Sequence, residues 1–255
     1  MNYLYLIIFF VFGLFMGSFY TVVGLRLPKK ENFFTNRSHC DHCHHTLSFL
    51  DMIPILSYLF LKGKCRYCHK KISDLSSYME LFTGLLFALS YYVFGFSFEC
   101  AIALGIISLL IIISVSDISY YIIPDELLIV GAGYFLILIT ISDGVISALY
   151  ACVSGLFLFI VMYCMMKIGN FLFKKESLGG GDVKMMFVFG ILLHPLLGLF
   201  SIFFGSLLAL PVSIILFYRK KQNLVPFGPF LLISLTFIYF TKINVPMILE
   251  WIKSF

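Results

Sequence analysis

Seven stretches without a charged residue, at positions 1–25, 81–98, 100–116, 127–142, 144–166, 185–218 and 222–241, constrain what this chain can fold into. A hydrocarbon core about 30 Å thick takes roughly 20 apolar residues to cross as helix, and in lipid each segment must satisfy its own backbone polar groups. Composition agrees: 61% of the residues are hydrophobic and 12% charged, against roughly 25% charged in ordinary soluble domains. The stretches therefore read as membrane helices, and a soluble globular domain is excluded. The first has no basic region ahead of it and is longer than the apolar core of a signal peptide, so it is expected to stay as the first span.

The net charge of +5 is read as a topology signal, with the lipid bilayer as partner and no nucleic acid expected. Nine basic residues from Arg26 to Lys71, including Arg37, follow the first stretch; Lys167, Lys174, Lys175 and Lys184 follow the fifth; Arg219, Lys220 and Lys221 follow the sixth. Only Lys242 and Lys253 stand apart. By the excess of Lys and Arg in cytoplasmic loops, these clusters face the cytoplasm and the N-terminus lies outside. The 34-residue stretch 185–218 is about 51 Å long as helix, and both its flanks are basic. It must cross an even number of times, turning near His194 and Pro195, where proline disfavours helix continuation. The expectation is an all-α polytopic membrane protein of about eight transmembrane helices. Its parts are a first helix at 1–25, a small cytoplasmic cysteine-rich loop domain at 26–77, and a membrane-embedded domain at 78–255. No convincing internal repeat is visible.

The polar region 26–77 is too small for a large core and needs a staple. Cys40-x-x-Cys43 and, twenty-one residues on, Cys65-x-x-Cys68 supply two thiolate hooks at a spacing that closes a tetrahedral site. A reducing cytoplasm argues for metal over disulfides. Zinc with four cysteines has no open position, so it is read as structural. His39, His42, His44, His45 and His69 flank the hooks as surface or supporting groups, any one of them an alternative ligand. There is no HExxH sequence for a catalytic zinc.

Carboxylates at membrane helix ends need a reason. Ser77-x-x-Glu80 fits a capping box, which would make Glu80 a helix cap. Asp125 and Glu126 follow Pro124, where acids favour a helix dipole. Glu99 and Asp143 fall in external turns. Asp117 is different: it ends an outside-to-inside helix, putting negative charge at the negative pole, unfavourable by about 0.3–1 kcal/mol. Asp182 reads as a possible N-cap, but follows three glycines, which lose much backbone entropy unless close approach is needed. Both fall at one membrane face. Two carboxylates brought together there can share a proton, one activating water while the other polarises a peptide carbonyl.

At these residues the sequence resembles the type IV prepilin peptidase family, bacterial members of the GxGD intramembrane aspartyl proteases. Gly179-Gly180-Gly181-Asp182 fits GxGD, and Asp117 lies eight residues before Asp125 in a segment containing Ile123-Pro124-Asp125. Arg37-Ser38-His39-Cys40 to Cys43, Ile53-Pro54 and Gly63-Lys64-Cys65 to Cys68 resemble the family's amino-terminal domain. The resemblance implies a multi-pass enzyme of the bacterial cytoplasmic membrane that removes short basic leaders from prepilins and pseudopilins, in pilus, secretion or DNA-uptake systems. Asp117 and Asp182 become the catalytic pair, supported by Gly179, Gly180, Gly181, Pro124 and Asp125, with the glycine loop leaving room for an unwound scissile segment. It also implies N-methylation with S-adenosylmethionine, for which Glu80 is the candidate residue. The competing readings are a proton- or cation-coupled transporter with a cytosolic zinc knuckle and a non-catalytic assembly factor.

Overall fold

The computed structural model describes residues 2–32, 38–40, 42–43, 45–174, 178–220 and 225–247; Arg37, His44, Lys175, Lys221 and Lys253 fall outside these. Nine α-helices occur among the described residues: α1 (Tyr3–Arg26), α2 (Leu56–Phe60), α3 (Leu75–Phe94), α4 (Phe98–Tyr120), α5 (Asp125–Asp143), α6 (Val145–Phe173), α7 (Gly180–Leu192), α8 (Pro195–Lys220) and α9 (Gly228–Thr241). All except α2 correspond one to one with the eight helices expected. Among the described residues, α1 with the 3-10 turn that follows it, α4, α5, α6 and α8 are long and apolar enough to cross a membrane. The chain is an all-α, multi-pass membrane protein.

Helix ends follow local chemistry. The Asn2 side chain accepts from Leu4 N–H at 3.4 Å to open α1. Pro124 precedes α5, and Gly144, at φ +87°, separates α5 from α6 in a backbone region closed to most side chains. The long apolar stretch breaks at Leu193, which is extended (φ −122°, ψ 148°), and Pro195 begins α8. α7, at 13 residues, spans only about 20 Å.

The chain divides into two compact units, Met1–Cys100 and Ala101–Phe255. In the first, α1 packs along α3. Helices in lipid lack a hydrophobic drive to pair, so close backbone approach at small residues supplies the contact. A Cβ on Gly13 would lie 2.8 Å from the Gly84 Cα, and one on Gly17 2.7 Å from the Glu80 Cα. In the second unit α7 is the buried centre, with Val183, Met185, Met186, Val188, Phe189 and Ile191 all enclosed, packed on α5 and α6. α8 pairs with α9, where Ser234 Oγ donates to the Ser201 carbonyl at 2.6 Å.

α6 and α7 meet backbone to backbone, where a Cβ on Gly190 would lie 2.5 Å from the Gly155 Cα. Gly190→Ala is expected to lose about 1–3 kcal/mol, read as a lowered melting temperature in detergent. Gly133→Ala, whose Cβ would meet nothing within 4 Å, is expected to be neutral or stabilising by under about 1 kcal/mol.

Candidate functional site

Asp117 does not end its helix, as expected from sequence; α4 continues one turn further, to Tyr120. The residue is buried, 5% exposed, and its Oδ2 accepts the backbone N–H of Gly228 at 3.0 Å. Gly228 is the first residue of α9, so the unfavourable charge at the end of α4 is met by the positive pole of another helix. Ser116 Oγ donates to the Ile122 carbonyl and fixes the turn that leads to Pro124.

Asp182 is likewise not an N-cap. Gly179 holds that position in extended conformation, and Gly180, Gly181 and Asp182 form the first turn of α7. The glycine run is therefore a helix start rather than a loop, and the acid sits where the dipole of α7 favours it. Asp182 is 8% exposed, and its Oδ1 is buried with no hydrogen-bond partner among the described residues. Gly228, bonded to Asp117, and Gly181, beside Asp182, both lie against Ile123, which places the two carboxylates in one site.

Ile123 packs between the two glycines that flank this pair. A Cβ on Gly181 would lie 2.8 Å from Ile123 Cβ; one on Gly228 would lie 3.3 Å from Ile123 Cδ1 and 3.1 Å from Asp117 Oδ2. A Cβ on Gly179 would meet Asp182 Oδ2 at 3.0 Å, while one on Gly180 would meet nothing within 4 Å. Pro124 serves as N-cap of α5, and Asp125, its first residue, pairs with Lys184 of α7 at 2.7 Å. That ion pair is exposed to solvent, so its energetic weight is small, but it ties the first turns of α5 and α7 together.

In the first unit the Sγ atoms of Cys40, Cys43, Cys65 and Cys68 all lie within 4.8 Å of one another, with Cys40 and Cys68 3.9 Å apart. Zinc–sulfur bonds of about 2.3 Å in a tetrahedron place sulfurs about 3.8 Å apart, so the quartet fits that ion. Each hook is the turn of a short antiparallel bridge, His39 with Thr46 and Lys64 with Lys71. In each, the first cysteine N–H returns to a carbonyl five residues on: Cys40 to His45 at 3.0 Å and Cys65 to Lys70 at 2.9 Å. The hooks are thus a structural repeat that went unseen in the sequence, although Cys-x-x-Cys-His followed by Leu47-Ser48 and by Ile72-Ser73 carries it. The N–H groups of Cys43 and His42 pull the Cys40 thiol down to about 7. The His45 N–H lowers Cys43, but desolvation and hydrogen bonds with Cys40, Cys68 and Cys65 outweigh it and push that thiol up to about 11. Without a cation Cys40 and Cys43 hold their protons unequally; a metal would displace them. Arg66 Nε meets Asp51 at 2.8 Å, and Asp51 also accepts from Ser48, bracing the second hook against the segment between the two.

Glu80 is not a helix cap, because α3 begins at Leu75 and Ser77 lies inside it. The residue is buried; its Oε1 accepts from Ser76 Oγ at 3.1 Å and its Oε2 from Ile55 N–H at 2.8 Å. Ile55 itself has φ +60° and ψ −48°, and Leu56 N–H bonds back to the Pro54 carbonyl. That is a γ-turn of the rare, strained kind on a β-branched residue.

Sequence reasoning missed Gly228, whose role depends on a contact across 111 positions, and it took Lys184 for a topology marker only. The Pro226-Phe227-Gly228-Pro229 run ahead of an apolar stretch was the available signal for a helix start.

A multi-helix membrane protein with two buried aspartates, set against the N-terminal turns of two short helices, is the class that fold and site define. Residues 11–94 match the bacterial peptidase A24 N-terminal domain, and residues 104–214 match the type IV leader peptidase family. The chain is 36% identical over 228 residues to the prepilin leader peptidase/N-methyltransferase of Bacillus subtilis (strain 168), covering 87% of this chain and 88% of that protein. It is 30% identical over 259 residues to the Vibrio cholerae protein of the same name, covering 94% and 98%. To the type 4 prepilin-like proteins leader peptide-processing enzyme of Escherichia coli it is 32% identical over 243 residues, covering 85% and 87%. No solved structure matches. The chain belongs to the type IV leader peptidase family. Nothing among these relatives supports a transporter.

The glycine run makes a sharp contrast testable. Gly181→Ala, which drives a methyl group against the branched Cβ of Ile123, is expected to lower peptidase turnover by about tenfold or more, since small misplacements of catalytic groups are costly. Gly180→Ala is expected to retain wild-type turnover, both read on purified protein matched for membrane level.

Proposed function

We propose that this peptidase cuts leader peptides from prepilin and pseudopilin substrates at the cytoplasmic face of the bacterial cytoplasmic membrane, with Asp117 and Asp182 as its catalytic pair. The supporting observation is the burial of both carboxylates in one site, Asp117 held by Gly228 N–H and Asp182 with a free, enclosed Oδ1. The free oxygen is the one placed to take a proton from an attacking water. The partner carboxyl, when protonated, donates to the peptide carbonyl oxygen, giving a neutral tetrahedral adduct. The C–N bond then breaks as the leaving amine takes a proton from the carboxyl that received one from water, while a hydroxyl of the adduct returns its proton to the partner carboxylate and becomes the new carboxyl C=O. Gly179, Gly181, Pro124 and Asp125 hold the helix starts that set this geometry.

In this reading 1–25 is the first span with its N-terminus outside. Residues 26–77 form a cytoplasmic domain that Cys40, Cys43, Cys65 and Cys68 staple around zinc, and 78–255 carries the peptidase. The zinc supplies cross-linking and no chemistry, because four cysteines fill its coordination. N-methylation with S-adenosylmethionine, which the relatives' names suggest, would move a methyl group to the new terminal amine. Glu80 is the candidate residue for that activity; its oxygens accept from Ile55 N–H and Ser76 Oγ, so it would act there by positioning the turn at Ile55.

Leader cleavage of a co-expressed prepilin is the decisive assay. Asp117→Asn and Asp182→Asn are each expected to reduce it by roughly 10²-fold or more at normal membrane levels; wild-type cleavage by either variant would rule out that residue. Metal analysis is expected to find one zinc per chain, lost in Cys65→Ser. Full chelation is expected to lower cleavage by loosening the domain, and unchanged cleavage without metal would remove zinc from the account.

A further inference from the structure

Among the described side chains of residues 48–61, between the two cysteine hooks, every exposed one is apolar: Leu50 (59% exposed), Met52 (43%), Leu56 (52%), Leu59 (63%) and Phe60 (82%). The hooks on either side are more polar. His42, His45 and Thr46 are exposed in the first, and Lys64, Arg66, Lys70 and Lys71 in the second, beside Tyr67 and Ile72. Leu56, Leu59 and Phe60 fall at i, i+3 and i+4 of α2, which puts them on one face. A contiguous exposed apolar patch of this kind marks an interaction surface.

Its position along the helices says what covers it. Glu80 Oε2 holds Ile55 N–H, and the Glu80 Cα lies 2.7 Å from where a Cβ on Gly17 would sit. Gly17 is nine residues before Arg26, the last residue of α1, which is about 13 Å along the helix axis. Glu80 is five residues inside α3, about 7 Å from its start. The γ-turn at Ile55 is thus pinned to the flanks of α1 and α3, inside their polar ends rather than beyond them. Irregular backbone at that depth is tolerated only where its polar groups are satisfied by protein, and the buried Glu80 carboxylate does this for Ile55. The exposed Lys62 and Lys64, directly after the apolar face, stand where anionic headgroups would be.

We infer that residues 48–61 form an interfacial element whose apolar face, Leu50, Met52, Leu56, Leu59 and Phe60, is seated in the lipid at the edge of an anionic leaflet, with Lys62 and Lys64 on the headgroups. An amphipathic segment with aromatic and aliphatic residues on one side and lysines beside them is suited to that boundary. Glu80 is then the residue that holds the element in place, which gives its burial a reason independent of either enzymatic activity.

The chain has one tryptophan, Trp251, so a single reporter can be moved. Phe60→Trp in a Trp251→Phe background, reconstituted alone in vesicles with bromine-labelled lipids, is expected to be quenched at least twofold more than Lys70→Trp in the same background. The quenching should be strongest with bromines near the glycerol and should rise when phosphatidylglycerol replaces phosphatidylcholine. Leu59→Trp, read the same way, covers a folding failure of the first variant. Equal quenching at positions 60 and 70 would make the patch a protein-binding surface and overturn the inference. Strongest quenching from the bilayer centre would overturn it too, and no dependence on phosphatidylglycerol would remove the lysines from it. None of these readouts involves cleavage, so failure here leaves the peptidase reading standing.

Discussion

The contact on which the second unit depends is a single hydrogen bond, from the backbone of Gly228 to the carboxylate of Asp117. A buried carboxylate in a membrane protein is expensive unless something of opposite polarity meets it. Here the cost is offset from both directions. Asp117, in the last turn of α4, lies against the N-terminal turn of α9, and Asp182 lies in the N-terminal turn of α7. Two helix starts bring their unsatisfied N–H groups toward the same pair of acids. The unit needs short helices for this. α7 and α9, at 13 and 14 residues, are the two shortest in the second unit, and shortness lets a helix begin within the apolar layer rather than at its surface.

Close approach by glycine follows from the same requirement. Gly181 and Gly228 face Ile123 from two helices, and neither has room for a methyl group without displacing it or Asp117. A bulkier contact would separate the two helix starts and with them the two carboxylates. Gly180, with nothing within 4 Å of its Cβ position, is free of this demand. The middle residue of the three is therefore spare for packing, although all three belong to one apparently uniform run. Gly228 and α9 lie beyond residue 214, where the family match ends, yet they contribute to the site as directly as α7.

The helices were legible in the sequence because crossing a membrane leaves a signal in composition alone. Even the break at His194 and Pro195 followed from counting charges on either side of an overlong stretch. The cysteine quartet was legible for a similar reason, since ligand type and spacing are local. What could not be read were the contacts between distant segments and the helix starts. Asp182 was placed one turn too early, as an N-cap, because glycines suggest a loop, and Glu80 was taken for a cap because Ser77 is three residues before it. In both cases the helix begins earlier than the pattern implied, at Gly180 and at Leu75, since packing of the following turns overrides the weak local preference. The duplicated hook was readable in principle, but four invariant-looking residues in nine are a faint signal when read against so strong a hydrophobic background.

Both units use a buried carboxylate to satisfy a backbone N–H: Glu80 takes that of Ile55, and Asp117 that of Gly228. The two acids differ in how their oxygens are used. Glu80 has one oxygen on Ile55 N–H and the other on Ser76 Oγ, so both help to hold a strained turn. Asp117 has one oxygen fixed by Gly228, which sets its orientation, and Asp182 has a buried Oδ1 with no partner among the described residues. A buried, unsatisfied oxygen is destabilising by about 1–3 kcal/mol in a purely structural setting. In the mechanism proposed above that energy is recovered when water and a peptide carbonyl enter the site, because the group left unpaired in the resting protein would be the one that binds the reacting atoms.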